Sequence, residues 1–177
     1  MYRVLLLRGV NLGPSRRISM PRLRELLAAA GHEDVRTYVQ SGNVVLRSER
    51  SPDRLARECE TVIAAGTGLE VKVVARTARE LEDVVERNPL AAVAAHPKLH
   101  YVCFLSGEPE AGAVAELDAL ATGGERLVAA GRELHAWFPN GSARSKLASR
   151  MADPRLGVTA TARNWRTVTA LLEMTRA

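Results

Sequence analysis

Three short polar stretches carry the residue types in this 177-residue chain that could bind a ligand or do chemistry. Each combines arginine, asparagine or glutamine with glycine or tryptophan, where a predicted strand ends or a predicted helix begins. These side chains form many hydrogen bonds and bury little apolar surface, so they suit a site for a polar or anionic ligand better than a core. The stretches are Arg-Gly-Val-Asn-Leu-Gly at residues 8–13, Gln-Ser-Gly-Asn at 40–43 and Thr-Ala-Arg-Asn-Trp at 161–165.

The first stretch follows a short, continuous apolar run, which is typical of a strand buried on both faces. Its glycines would let the backbone present N–H groups and the amide of Asn11 near Arg8 at one end of a sheet. A helix beginning after Ser19 would favour an anion, and Arg16 and Arg17 add positive charge. The spacing matches neither a P-loop nor a dinucleotide-binding glycine motif. A glycine-rich connection with solvated arginines explains the stretch equally well.

The second stretch could contribute Gln40, Ser41 and Asn43 to the same site. Taken alone, it is more simply a hairpin turn, because Ser, Gly and Asn favour turns through local hydrogen bonds and backbone freedom.

In the third stretch, Arg163 and Trp165 lie at the start of the last predicted helix, which Thr161 or Asn164 can cap. Trp165 could stack on a base or sugar or close a pocket, and a packed core tryptophan is an equally good interpretation. A fourth polar segment, residues 138–147, places Ser142, Ser145 and Lys146 at a helix start. They could form a phosphate-binding nest or simply an N-capped turn with surface charge.

No pattern in the sequence identifies a catalytic centre, a metal site or a cofactor site. The four histidines lack metal-ligand spacing, and there is no Gly-x-Ser-x-Gly nucleophile elbow. The cysteines, Cys59 and Cys103, lie in amphipathic segments without a second ligand nearby, and Cys103 is interpreted as a small buried hydrophobe. We therefore expect no metal and no cofactor, and leave catalytic residues unassigned.

The net charge of +5 is concentrated at the two ends of the chain. Residues 1–24 contain six arginines and no acid, and residues 142–177 contain seven basic side chains against two acidic ones. If the ends meet in space, they form one positive face. Only three of the 25 basic residues are lysines, so an arginine-rich composition typical of a GC-rich genome also explains the charge. No apolar run approaches the roughly 20 residues of a membrane span, and we expect a cytoplasmic protein without a membrane partner.

The predicted elements follow the order β-α-β-β-α-β twice, which is the split βαβ arrangement of ferredoxin-like folds. We predict an α+β fold of two ferredoxin-like halves packed together in one compact unit. The halves are residues 1–88, which include an added helix, and residues 99–177, with a connection at 89–98. The predicted strands are 4–7, 35–39, 43–47, 70–76, 99–105, 127–130, 133–138 and 158–161, and the predicted helices are 19–31, 51–66, 77–88, 109–121, 145–150 and 164–174.

Together these stretches resemble an uncharacterised, mostly bacterial family known as domain of unknown function 1697. The resemblance covers essentially the whole chain and implies a compact α+β protein of ferredoxin-like halves, without implying any activity. One departure is Arg16-Arg17, where a Lys-rich or Gly-rich loop is expected. The matching segments are 7–13, 20, 23–24, 38–44, 139–141, 145–147 and 161–168.

The leading hypothesis is a module that binds an anionic or phosphorylated ligand, either a small molecule or nucleic acid. One alternative is an enzyme acting on a small phosphorylated or carboxylated metabolite, with Ser41 or Ser145 as nucleophile or polarising group. Another is a structural module without a ligand. The sequence leaves the oligomeric state open. The predicted ligand-binding residues are Arg8, Asn11, Gln40, Ser41, Asn43, Ser145, Lys146, Arg163, Asn164 and Trp165.

Overall fold

Strands and helices alternate in the computed structural model in the order that the hydrophobic pattern predicts. It describes residues 1–13 and 17–177, so Pro14, Ser15 and Arg16 lie outside the described residues. The elements are β1 (Tyr2–Leu7), α1 (Met20–Ala29), β2 (Glu33–Tyr38), β3 (Asn43–Arg47), α2 (Pro52–Thr67), β4 (Val73–Thr77), α3 (Ala78–Glu86), β5 (His100–Leu105), α4 (Ala113–Asp118), β6 (Arg126–Ala130), β7 (Glu133–Trp137), α5 (Lys146–Arg150), a 3-10 helix (Pro154–Leu156), β8 (Ala160–Asn164) and α6 (Trp165–Arg176).

The chain divides into two compact units, and the divisions fall within α3 and α6. The first unit is Met1–Glu82 with Ala170–Ala177, and the second is Asp83–Thr169. Each unit contains one four-stranded antiparallel sheet, with the order β2-β3-β1-β4 in the first and β6-β7-β5-β8 in the second. Both orders are those of a ferredoxin-like β-α-β-β-α-β unit. The predicted α+β class with two ferredoxin-like halves is confirmed.

The core of the first unit forms because strand and helix periodicities point the same residue types inward. Leu5 and Leu7 of β1 pack with the apolar stripes of α1 and α2. Val4 and Leu6, on the opposite face of the same strand, are also buried, each at most 1% exposed. This two-sided burial explains the continuous apolar run, since an alternating pattern would leave one face in water.

The second unit repeats this arrangement around β5. Cys103 and Leu105 pack with Leu117 of α4 and Leu147 of α5. Cys103 is therefore the small buried hydrophobe that its sequence context predicts, and its thiol donates a hydrogen bond to the carbonyl oxygen of Met151 at 3.1 Å.

Side chains cap the starts of α1 and α3. Ser19 accepts a hydrogen bond from the N–H of Arg22, and Thr77 and Glu80 form a reciprocal capping box at the start of α3.

In the second unit, two elements begin two or more residues later than predicted. Helix α4 begins only at Ala113, because Gly112 adopts a left-handed φ of 85° and the N–H of Glu110 bonds the carbonyl of Leu156. Strand β8 begins at Ala160, because Thr159 is instead bridged to Ser106 by two hydrogen bonds. Both differences come from long-range contacts that local propensity does not encode.

No helix among residues 1–13 and 17–177 is long and apolar enough to cross a membrane.

The turn between β2 and β3 packs closely against the end of β1 and the segment after it, and Gly42 lies at this contact. A Cβ at Gly42 would lie 2.6 Å from Val10 Cγ2 and 2.7 Å from Leu7 Cβ, and its φ is +72°. Gly68 has the same φ of +72°, but a Cβ added there would meet nothing within 4 Å, so this position isolates backbone strain from crowding. We expect Gly68→Ala to cost about 1 kcal/mol of unfolding free energy. Gly42→Ala should cost about 2–4 kcal/mol, because overpacking adds to the strain.

Urea unfolding of the two variants measures both values. Equal losses for Gly42→Ala and Gly68→Ala would contradict the close approach of the turn to Leu7 and Val10.

Candidate functional site

The first two polar stretches meet in the first unit and form one surface, here called the loop pair (residues 8–13 and 39–42). The N–H of Leu7 bonds the carbonyl of Gly42 at 2.9 Å. Beyond it, the Asn11 amide donates to the carbonyl oxygens of Gln40 at 2.7 Å and Ile18 at 2.9 Å. Asn11 Oδ1 accepts the N–H of Ile18 in return. One side chain therefore fixes both loops and the residues leading into α1.

Asn43 fixes the turn from within. It is fully buried, and its amide donates to the carbonyl of Tyr38 at 3.1 Å and to Ser41 Oγ at 2.9 Å. Gln40 and Ser41 are exposed beside it. The turn thus has a buried polar anchor beneath an exposed polar edge.

The backbone of the loop pair contains several left-handed residues. Gly9 has a φ of 66° and Asn11 a φ of 58°, with Val10 between them at negative φ. Alternating handedness of this kind turns successive N–H groups toward one side and forms concave sites for anions. Val39 has a φ of 50°, which is unfavourable for a β-branched residue, and its side chain is 53% exposed. Strain of this kind persists where the surroundings impose it, and it concentrates at functional sites.

The charge of the loop pair is positive. Arg8 is half-buried at the end of β1, where its N–H bonds the carbonyl of Lys72 at 2.8 Å, and Arg17 is exposed. Neither loop contains a carboxylate. The predicted contribution of Arg16 lies outside the described residues.

Arg163 of the third stretch is a buried arginine in β8, only 8% exposed. Its Nη1 donates to Thr161 Oγ1 and to the carbonyl of Ala162, each at 2.8 Å. Burial lowers the pKa of the guanidinium to about 10, so the group stays charged at neutral pH. The guanidinium donates to oxygen atoms of its own strand, so the Arg163 side chain contributes to the structure of the second unit.

Trp165, at the start of α6, packs on two buried histidines. Its ring stacks on His100 with centroids 4.5 Å apart and planes 14° from parallel, and His135 lies 6.3 Å away. His100 Nε2 and His135 Nδ1 are 3.4 Å apart, and each histidine is 1% exposed. Within the described part of the chain, His100 Nδ1 is buried without a hydrogen-bond partner. Burial lowers the pKa of both imidazoles to about 4, so the pair is neutral at pH 7.

Asn164 and Ser145 act as helix caps. Asn164 Oδ1 accepts the N–H of Thr167, and Ser145 Oγ accepts the N–H of Ala148. Lys146, the next residue, borders a cavity of about 640 Å³, here called the α4–α5 cavity. The cavity is lined by Ala113, Glu116, Leu117, Leu120, Lys146, Ser149, Arg150, Asp153, Arg155 and Leu156.

The predicted site residues therefore fall into separate groups. Arg8, Asn11, Gln40, Ser41 and Asn43 meet in the first unit. In the second unit, strand alternation places Arg163 on the sheet face opposite Ala160 and Ala162, which pack with α4 and α5. The α4–α5 cavity with Lys146 thus lies on the other side of that sheet from Arg163.

Arg76 is a residue that the sequence interpretation missed. It pairs with Val4 across β1 and β4, as Arg163 pairs with Val102 across β5 and β8, so the two arginines occupy equivalent register positions. Arg76 is 1% exposed, and its Nη1 also donates to the preceding carbonyl, at 2.9 Å. A signal was present in the sequence: Ala-Arg-Thr-Ala-Arg at 75–79 and Ala-Arg-Asn-Trp-Arg at 162–166 share Ala-Arg, a helix N-cap and a second arginine.

A cysteine, a histidine and a glutamate also meet in the first unit. His32 Nε2 lies 4.0 Å from Cys59 Sγ and 3.7 Å from Glu58 Oε1. A nucleophile triad needs the carboxylate and the thiol on different ring nitrogens, whereas here both approach the same one. Burial raises the pKa of the fully buried Cys59 to about 12, so the thiol is protonated and unreactive. Among the described residues, no group of three or more side chains could hold a metal ion.

Known proteins that resemble this chain share its fold, and their descriptions name no ligand. The family model described as "Protein of unknown function (DUF1697)" matches residues 1–135. The chain is similar to the solved structure of conserved bacterial protein SP0830 from Streptococcus pneumoniae, with a TM-score of 0.77 and 22% sequence identity. That match covers 98% of this chain and 97% of the other, and at this identity it shows the fold alone. Among curated proteins, no relative matches.

The buried histidine pair should make stability depend on pH. The unfolded imidazoles titrate near 6.5 and the folded ones near 4, so the unfolded state binds more protons between these values. The histidine pair therefore does not reduce the free energy of unfolding above pH 6.5. As the pH falls from 6.5 to 4, this free energy decreases by a few kcal/mol. His135→Leu should reduce the slope of unfolding free energy against pH, measured by urea unfolding between pH 7 and 4. The exposed His96→Gln is the control, and an unchanged slope in His135→Leu would contradict the assignment.

Arg163 should be required for stability. Arg163→Ala removes a buried side chain and leaves its acceptors unsatisfied, so we expect a loss of about 2–4 kcal/mol in unfolding free energy. Arg166, an exposed neighbour, is the matched control, and Arg166→Ala should change stability by less than about 0.5 kcal/mol. Equal stability of the two variants would show that Arg163 is dispensable for the fold.

Proposed function

Since the chain belongs to the DUF1697 family, whose description assigns no activity, we propose from local geometry that it binds an anionic or phosphorylated ligand at the loop pair. One observation carries this proposal. Two loops about 30 positions apart in sequence are joined by the Asn11 amide and the N–H of Leu7, and these loops carry Arg8, Gln40 and Ser41. Such a surface needs little reorganisation when a ligand binds, which lowers the entropic cost of association.

The residues of the loop pair divide into framework and contacts. Asn11 and Asn43 use their amides on backbone and hydroxyl oxygens, so they act as the framework. Arg8 supplies charge, and Gln40 and Ser41 supply exposed hydrogen-bonding groups.

Two exposed apolar side chains at the loop pair favour a ligand that has an apolar or aromatic part as well as negative charge. Leu12 is 85% exposed and Val39 is 53% exposed. A nucleotide or an unpaired stretch of nucleic acid combines these properties, because each base offers an apolar face next to a phosphate. Arg163, Asn164 and Trp165 stay predicted contacts under the same hypothesis, with ligand roles beyond their packing and capping.

The alternative of a purely structural role is favoured by one specific observation. At least seven of the ten predicted ligand-binding residues use their side chains on contacts within their own unit: Asn11, Ser41, Asn43, Ser145, Arg163, Asn164 and Trp165. An enzymatic role has less support. The Ser145 hydroxyl accepts the N–H of Ala148 as a helix cap, and an N–H group cannot accept the proton that a nucleophilic serine must give up.

Binding experiments separate these functions. Fluorescence anisotropy with a labelled single-stranded oligonucleotide and with a duplex, at several salt concentrations, tests nucleic acid, and calorimetric titration with pyrophosphate tests a small phosphorylated ligand. We expect binding to one of these probes, weakened about tenfold by Arg8→Gln or Gln40→Ala through lost hydrogen bonds to an anion. A steep salt dependence would identify nucleic acid as the ligand.

The matched control is Arg54→Gln, which removes an exposed arginine on α2 away from the loop pair. Unfolding midpoints of all variants exclude a general loss of structure. Absence of binding to every probe at low salt would remove the proposal, and so would equal weakening by Arg54→Gln.

A further inference from the structure

The α4–α5 cavity combines an apolar floor with a positively charged rim. Leu117 and Leu156 are almost fully buried, with 4% and 1% exposure, and Ala113 and Leu120 extend this apolar surface. A volume of about 640 Å³ lies within the range of small-molecule sites, which are mostly apolar with a few placed polar groups.

Asp153 organises the arginines of the rim. Its carboxylate accepts two hydrogen bonds from the Arg155 guanidinium, each at 3.1 Å, and one from Arg150 Nη1 at 3.0 Å. It also accepts the backbone N–H of Arg155 at 2.9 Å. These donors hold the pKa of Asp153 well below its usual range. A single carboxylate therefore holds two guanidinium groups in place beside the cavity, which preorganises positive charge there.

The charges around the cavity leave one positive charge without an internal counterpart. The rim has three cations, Lys146, Arg150 and Arg155, against two carboxylates, Asp153 and Glu116. Glu116 approaches Arg155 Nη1 at 3.6 Å, and Asp153 binds both arginines. Within the described residues, the Lys146 ammonium has no ion-pair partner. The unmatched charge is thus that of Lys146, next to the apolar floor.

We propose that the α4–α5 cavity binds a small amphipathic carboxylate, whose apolar body lies on Leu117, Leu120 and Leu156 and whose carboxylate pairs with Lys146. A monoanion matches the single unpaired charge, and burying its apolar body contributes free energy in proportion to the area removed from water. Ser149, which also lines the cavity, donates its hydroxyl to the carbonyl oxygen of Lys146 at 2.8 Å, so the proposed contact to the carboxylate is that of the Lys146 ammonium. This site lies in the second unit and does not depend on ligand binding at the loop pair.

Octanoate, octanamide and acetate are the probes for the full-length chain. Octanamide keeps the apolar body without the charge, and acetate keeps the charge without the body. Titrations followed by calorimetry and by NMR of the methyl groups of Leu117 and Leu120 should show saturable binding of octanoate. Octanamide and acetate should each bind at least about tenfold more weakly, because each lacks one of the two contributions.

The chain offers a matched lysine control, because it contains only Lys72, Lys98 and Lys146. Lys146→Gln should weaken octanoate binding about tenfold, as expected for the loss of a charge-assisted hydrogen bond. Lys98→Gln, which removes an exposed lysine in the same unit outside the cavity, should leave binding unchanged. Leu120→Asn should weaken octanoate binding and should not strengthen octanamide binding.

Several outcomes would overturn the proposal. These are the absence of saturable octanoate binding, equal affinity for octanoate and octanamide, or equal weakening by Lys146→Gln and Lys98→Gln. Tighter binding of octyl phosphate than of octanoate would overturn the assignment of a monocarboxylate. Because Arg8→Gln leaves this cavity intact, retained octanoate binding in that variant distinguishes failure at the loop pair from failure here.

Discussion

Burial of a central strand on both faces is the constraint on which each unit depends. In the first unit, β1 pairs with β3 on one side and β4 on the other, and Val4 to Leu7 are at most 1% exposed. The backbone groups of such a strand are paired with neighbouring strands on both edges. Where the strand ends, the buried backbone groups that follow need other partners. The loop pair begins at that point, and the N–H groups of Leu7 and Arg8 still bond to neighbouring segments as the chain leaves the sheet. The proposed ligand surface is therefore held by the end of the central strand that it continues.

The two units have the same strand arrangement although their sequences differ. Strand order and register are equivalent, and each fourth strand carries a buried arginine followed directly by the N-cap of a helix. The long arginine stem can fill apolar space while its guanidinium bonds backbone oxygens, which suits a position where a strand passes into a helix. Arg76 and Arg163 therefore mark a feature of the fold that both units share.

Polar groups in this protein divide into those that the fold uses and those that it leaves available. Asn11, Asn43 and Asn164 have their amides engaged, because a buried or partly buried amide without partners would cost free energy. Lys146 and Gln40 are exposed, the first beside a cavity and the second in a turn, whereas the exposed Ser41 also accepts the Asn43 amide. Residue type alone cannot separate these classes, since asparagine serves equally well as a turn anchor and as a ligand contact.

Local patterns in the sequence determined the order of the elements, the antiparallel ferredoxin-like class, the cap at Ser19 and the capping box of Thr77, because periodicity and capping act over a few residues. Tertiary structure alone decided that Asn11 joins residue 40, that Gly42 packs on Leu7 and Val10, and that His100 meets Trp165. It also decided that Arg163 is buried and that Lys146 borders an apolar cavity. These contacts join segments separated by tens of residues, and their free energy depends on the packing of whole sheets and helices. For that reason no short window of the sequence contains them.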